Sequence, residues 1–120
     1  MVEQIYTDTP GILGVKLSGK LNDYDYRRFV PIVEGAVVSQ GRIRMLTVLE
    51  DFHGWDLHAL WDDIKFATKH GSDFERIALV GDRKWEQYMA SVCKPFTKAA
   101  VKYFDAREID AAWEWVREAA

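Results

Sequence analysis

The spacing of apolar residues predicts a chain that alternates between strands and helices. In Ile12–Ser18, Leu13, Val15 and Leu17 alternate with Lys16 and Ser18, the two-residue period of a strand with one exposed side. Val2–Thr7 has the same character, and Pro10-Gly11 between the two is a turn signal. The pair reads as an antiparallel hairpin. The period then lengthens. Tyr26, Phe29, Val30, Val33 and Val37 recur at helical spacing after Asn22 or Asp23, whose short oxygen-bearing side chains suit an N-cap. Pro31 lacks an N–H and disfavours helical geometry at Val30, so a kink or a late helix start is expected. Gly41 ends the helix.

Arg42–Glu50 carries Ile43, Met45, Leu46, Val48 and Leu49, dense enough for a strand buried on both faces. Asp51–Trp55 reads as a loop flexing at Gly54. Asp56 caps a helix to about His70, closed by Gly71, with Leu57, Leu60, Trp61 and Ile64 inward. Ile77–Val80 is a second buried strand, ended by Gly81-Asp82. Arg83–Lys94 is a helix that Pro95 breaks. Val101–Phe104 is a short strand, and Asp105 starts a last helix with Ile109, Ala112, Trp113 and Val116 inward and Trp115 pointing elsewhere. The order β-β-α-β-α-β-α-β-α implies an α/β fold, a mostly parallel mixed sheet flanked by helices. With no repeat, linker or low-complexity tract, residues 1–120 read as a single domain. Strand order does not follow from the pattern.

Composition narrows the classes. Hydrophobic residues make up 48% of the 120 and charged residues 29%, with a formal net charge of −3. That balance gives no general case for nucleic-acid binding. The single Cys93 allows neither an internal disulfide nor a multi-cysteine metal site, and fits a reducing, cytoplasmic setting. Met1–Pro10 lacks the apolar run of a signal peptide. No stretch approaches the roughly 18 apolar residues that span a bilayer, so any membrane contact is expected to be peripheral, at the inner face.

The charge is uneven. From Arg83 to Lys102 five basic residues, Arg83, Lys84, Lys94, Lys98 and Lys102, face one acid, Glu86. A basic island on an acidic chain marks either an anionic partner or a solvated helix surface.

Catalytic equipment is sparse. Glu50, Asp51, His53, Asp56 and His58 could bind a metal or run acid–base chemistry. Acidic loops more commonly serve solvation and capping, so no metal, cofactor or catalytic residue is assigned. Cys93 beside Val92 reads as a small buried hydrophobe. There is no Gly-x-Ser-x-Gly elbow and no glycine-rich phosphate loop. Gly11-x-x-Gly14 fits a turn plus a close-packed strand.

The aromatic residues carry more information. Of five tryptophans, Trp61 and Trp113 are expected in the core. Trp55, Trp85 and Trp115 are candidates for partial exposure, with Phe52, Phe66 and Phe96, because an indole is apolar yet bears a polar N–H. The alternative is that these rings complete the core and its edges. Ligands of open α/β sheets favour the carboxyl ends of strands. An apolar cleft there between the helices after the third and fourth strands would be lined by Phe52, His53, Trp55, Trp61, Phe66, Trp85, Met89 and Phe96. Lys84, Lys94 and Lys98 would rim it. It would suit an amphiphile with an anionic head, or rest on an anionic membrane.

Several ordered motifs tie these elements to a known family. Gly41-Arg42-Ile43-Arg44-Met45-Leu46 leads into Asp51-Phe52-His53-Gly54-Trp55-Asp56. Leu60-Trp61-Asp62-Asp63, Lys65-Phe66, Ile77-Ala78-Leu79-Val80-Gly81-Asp82, Lys84-Trp85 and Lys94-Pro95-Phe96-Thr97 follow. Together they resemble the SpoIIAA-like branch of the STAS domains, also grouped with SEC14 (CRAL-TRIO) domains, over nearly the whole chain. The resemblance implies a compact α/β binding domain without enzymatic activity, with a lipid-like ligand or membrane surface as partner. Other STAS domains imply the alternative of a regulatory protein-interaction module or homodimer. A third reading is an enzyme centred on Asp51, His53 and Asp56. Regulatory STAS proteins carry a phosphorylated serine just after the buried strand. Here Asp51-Phe52-His53-Gly54 offers no hydroxyl, which puts a switch of that kind in doubt.

Overall fold

A computed structural model of the chain describes residues 1–5, 7, 9, 11–55, 73–83 and 99–118, excluding the side chain of Trp55. The elements within these residues are β1 (Val2–Ile5), β2 (Ile12–Leu21), α1 (Asp23–Gln40), β3 (Ile43–Trp55), β4 (Phe74–Gly81) and β5 (Ala100–Asp105). A 3-10 turn (Ala106–Glu108) then leads into α2 (Ile109–Arg117). The predicted helices over Asp56–His70 and Arg83–Lys94 lie almost wholly outside the described residues. The five strands form one sheet in the order β1-β2-β3-β4-β5. β1 pairs antiparallel with β2, and every other pairing is parallel. This is the mixed, mostly parallel α/β architecture that the periodicity implies.

Alternation along the strands sorts side chains to two faces. Met45 and Leu49 of β3, Leu13 and Val15 of β2, and Tyr26, Phe29 and Val33 of α1 close one core. Leu46, Ala78, Val80 and Phe104 close the other against Ala112 and Val116 of α2. Each such Val, Leu, Met or Phe side chain contributes roughly 1.5–3 kcal/mol by leaving water. The sheet is thus covered by α1 on one side and α2 on the other.

α1 begins with a reciprocal cap. The Asp25 N–H donates to Asn22 Oδ1 at 3.0 Å, and the Asn22 N–H donates to Asp25 Oδ2 at 3.0 Å, satisfying donors that a helix start leaves open. The expected late start at Pro31 is corrected: the helix runs unbroken from Asp23 to Gln40. The proline forfeits the hydrogen bond to the Arg27 carbonyl, and both residues are exposed, which leaves that carbonyl open to solvent. Gly41 closes α1 at φ 77°.

The expected loop over Asp51–Trp55 is also corrected, because β3 continues to Trp55. Leu17 pairs with Leu49, Gly19 with Phe52 and Leu21 with Trp55. Twice, then, two residues of β2 face three of β3. Each surplus residue makes a β-bulge, one marked by Asp51 at φ 48° and the other by Gly54 at φ 87°. The bulges break the two-residue period and produce the loop-like pattern.

α2 is held from the sheet. Arg44 Nη1 donates to the Val116 carbonyl at 2.9 Å and also to the Glu118 carbonyl, and Arg44 Nε donates to Glu75 Oε2 at 3.2 Å. Arg76 Nη1 donates to the Trp115 carbonyl at 2.7 Å, with its guanidinium 5.0 Å from the centre of the Trp115 ring. Two cations from β3 and β4 therefore serve carbonyls at the end of the helix, the negative pole of its dipole, and the Trp115 carbonyl also accepts the Glu118 N–H at 3.3 Å. Upstream of α2, Asp105 Oδ1 accepts from the Arg107 backbone N–H and from its Nε, both at 3.0 Å. These bonds hold the Asp105 carboxyl below its usual pKa.

Candidate functional site

The carboxyl ends of β3, β4 and β5 meet at one rim of the sheet, the location expected for a binding site. Arg83, just past β4, ties the rim together. Its Nη1 donates to the Phe52 carbonyl of β3 at 3.2 Å, and its own carbonyl accepts from the Tyr103 hydroxyl of β5 at 3.3 Å. Its Nε lies 4.0 Å from Asp82 Oδ1. The Arg83 side chain is 37% exposed, so a positive charge sits at the surface of this rim.

Phe52, expected to be partly exposed, is fully buried in the α1-side core. The bulge accounts for this. Glu50 and Asp51 together face outward opposite the single Ser18, which returns Phe52 to the face of Leu49. His53 is exposed. Asp51 and His53 therefore flank the buried ring as solvent-facing residues of bulged strand. Among the described residues, no three His, Cys, Asp or Glu side chains gather as a metal site. Trp61, Phe66, Lys84, Trp85, Met89, Lys94, Phe96 and Lys98 lie outside the described residues, as does Asp56, and Trp55 is placed only by its backbone at the end of β3.

Trp113 and Trp115 are both half-buried against the α2-side core. Trp115 packs on Phe104 at a ring separation of 5.9 Å. Arg117 lies 5.3 Å from the centre of the Trp113 ring.

A concavity lies at the opposite end of the sheet. A groove of about 480 Å³ runs between the carboxyl-terminal half of α1 and the hairpin of β1 and β2, with Gln4, Thr9, Ile12, Pro31, Gly35 and Ser39 among its walls. Sequence reasoning did not find it. The signals were Gly35 and Pro31, two poor helix formers inside one helix.

The sequence model of the SpoIIAA-like family matches residues 12–117, from the first residue of β2 to the last of α2. The chain belongs to the SpoIIAA-like family. Its fold is also similar to the crystal structure of an uncharacterized protein of the DUF3478 family with a SpoIIAA-like fold from Shewanella loihica PV-4. The two are 29% identical with a TM-score of 0.81, over 97% of this chain and 92% of that one. No curated protein matches the chain. In this SpoIIAA-like chain Asp51-Phe52-His53-Gly54 falls on bulged strand rather than on a loop. Among the described residues no helix is long and apolar enough to cross a membrane.

Proposed function

We propose that this SpoIIAA-like chain is a non-enzymatic binding module. It takes a lipid-like amphiphile with an anionic head at the carboxyl rim of the sheet, and associates peripherally with anionic membrane. The observation that carries this reading is Arg83. It is a half-exposed cation anchored on the Phe52 carbonyl at the strand ends, and it opens the basic segment through Lys102. An anionic head would meet Arg83, with Lys84, Lys94 and Lys98 proposed as further cations and Trp85, Met89 and Phe96 as apolar surface. Electrostatic attraction of this kind is screened by salt.

The test is co-sedimentation with phosphatidylglycerol vesicles and with phosphatidylcholine vesicles, at low and high salt. Binding to the anionic vesicles that weakens with salt, and that Trp85→Ala reduces without lowering Tm, is the expected result. Equal pelleting with both lipids would overturn the proposal.

A regulatory protein-interaction module is the second reading. It is favoured by the enclosure of Phe52 and by two exposed apolar residues on α1, Tyr24 at 65% and Val38 at 87%. Fourteen positions apart, they lie on nearly the same side of the helix. A concentration-dependent dimer in sedimentation velocity, with no vesicle binding, would select this reading.

A further inference from the structure

The groove beside α1 reaches β1 at Gln4. In the sheet order β1 is terminal, and among the described residues no element pairs with its outer side. The register shows which backbone groups face outward. Met1 and Ser18 exchange two hydrogen bonds, Met1 N to the Ser18 carbonyl and the Ser18 N–H to the Met1 carbonyl. Bonded pairs alternate along an antiparallel ladder, so Glu3 and Ile5 bond inward to β2. The N–H and C=O of Val2 and Gln4 therefore point away from the sheet. Such an edge is a template for another strand.

The groove lining fits the same kind of occupant. In a chain whose residues are 29% charged, none of the described residues lining the groove is charged. Threonine, serine and glutamine line it together with Leu13, Ile32 and Ile43 of the α1-side core. The described walls offer a charged ligand no counterion, whereas a neutral backbone with alternating apolar side chains would find both hydrogen-bond partners and apolar floor. Gly35 adds an independent reason. Glycine inside a helix is less favourable than alanine, and a Cβ at Gly35 would meet nothing within 4 Å. Internal packing therefore does not require glycine here. Its effect is to keep the α1 wall of the groove open.

We propose that an uncharged, extended peptide segment docks in this groove by adding to the outer edge of β1 as a further strand. Its backbone pairs with Val2 and Gln4, and alternate side chains enter the space between β1 and Gly35. Strand addition between an edge strand and a helix draws affinity from main-chain bonds and selectivity from side-chain pockets. This proposal concerns the amino end of the sheet and does not depend on the carboxyl-rim reading.

The test is an NMR titration of the full chain. The probes are a panel of acetylated, amidated peptides of about eight residues, alternating threonine or glutamine with valine, leucine, isoleucine or tyrosine. At least one member is expected to shift the Gln4 and Gly35 amides. The same peptide N-methylated at alternate residues should bind at least about tenfold more weakly, the scale of losing one or two hydrogen bonds. Gln4→Pro removes one outward N–H at an edge position that tolerates proline, and should weaken binding similarly. Gly35→Leu fills the groove at an open position and should abolish binding with Tm unchanged or raised. The N-methylated peptide needs no variant, so the test stands even if a substitution unfolds the chain. The proposal is overturned if no peptide shifts these amides, or if N-methylation leaves binding intact. It is also overturned if the same amides shift with protein concentration alone, which would make a second copy of the chain the occupant.

Discussion

Truncating Phe52 to alanine tests whether the first bulge sets the register at the end of β3. The ring is fully enclosed and joins α1-side core residues of β2, β3 and α1. Removing a buried phenyl ring costs its transfer free energy plus a cavity term, together about 3–5 kcal/mol. A domain of this size has about 5–15 kcal/mol in total, so the variant folds with much of its margin gone. With an m-value of about 2 kcal/mol per molar urea, the midpoint should fall by roughly 1.5–2.5 M. The control is His53→Ala, one residue along and exposed, which should change stability by no more than about 0.5 kcal/mol. Urea unfolding of both variants, followed by far-ultraviolet circular dichroism, gives the comparison. A loss below about 1 kcal/mol for Phe52→Ala would mean the ring is not enclosed. The bulge would then not restore Phe52 to the face of Leu49, and an aromatic patch at the rim would again be available to a ligand.

Two further substitutions probe how the hairpin and α2 are fixed. A Cβ at Gly14 would stand 2.9 Å from the Ile5 backbone oxygen and 3.3 Å from Trp113 Cη2. Gly14→Ala should therefore destabilise by about 1–3 kcal/mol through overpacking, and a neutral effect in thermal unfolding would mean that β1 and α2 pack less closely there. Arg44→Ala leaves the Val116 and Glu118 carbonyls without their guanidinium donor. It should cost about 1.5–3 kcal/mol and speed hydrogen exchange in the last turn of α2 ahead of β3, whereas uniform acceleration across both elements would refute a local capping role.

Much of the fold is legible in sequence because each element carries its own period and its own stop. Asn22 and Gly41 mark the ends of α1 through backbone requirements that few residues meet, and the structure uses both. Gly11 and Gly14 read as a turn and a close-packed strand. Gly11 has φ 80°, and Gly14 sits against the Ile5 backbone. Strand order was not legible, since periodicity describes a strand's faces and not its neighbours. The end of β3 was misread for a different reason. Leu49, Phe52 and Trp55 recur every three residues, which matches neither a strand nor a helix unless one bulge residue is counted in each interval. Asp51 and Gly54 supply those residues at positive φ, the conformation that asparagine, aspartate and glycine tolerate best.

The charged residues of the central strands show a second limit, and its cause bears on the site. Arg44 lies on a strand whose pattern reads as buried on both faces, and Arg76 directly precedes another. A pattern of that kind gives no place for a guanidinium unless acceptors are brought to it from elsewhere. The acceptors are the final carbonyls of α2, more than seventy residues from Val116 back to Arg44 and thirty-nine from Trp115 back to Arg76, so local sequence could not announce them. The same bonds occupy both arginines at the amino ends of β3 and β4 on the α2 face. The uncharged groove lies at that same end of the sheet, on the α1 face. Arg83, at the opposite end, anchors on a carbonyl of the sheet itself and keeps part of its side chain in water. An anionic partner therefore favours the carboxyl rim, where a cation reaches water, and an uncharged strand favours the β1 edge, where the described groove walls carry no charge.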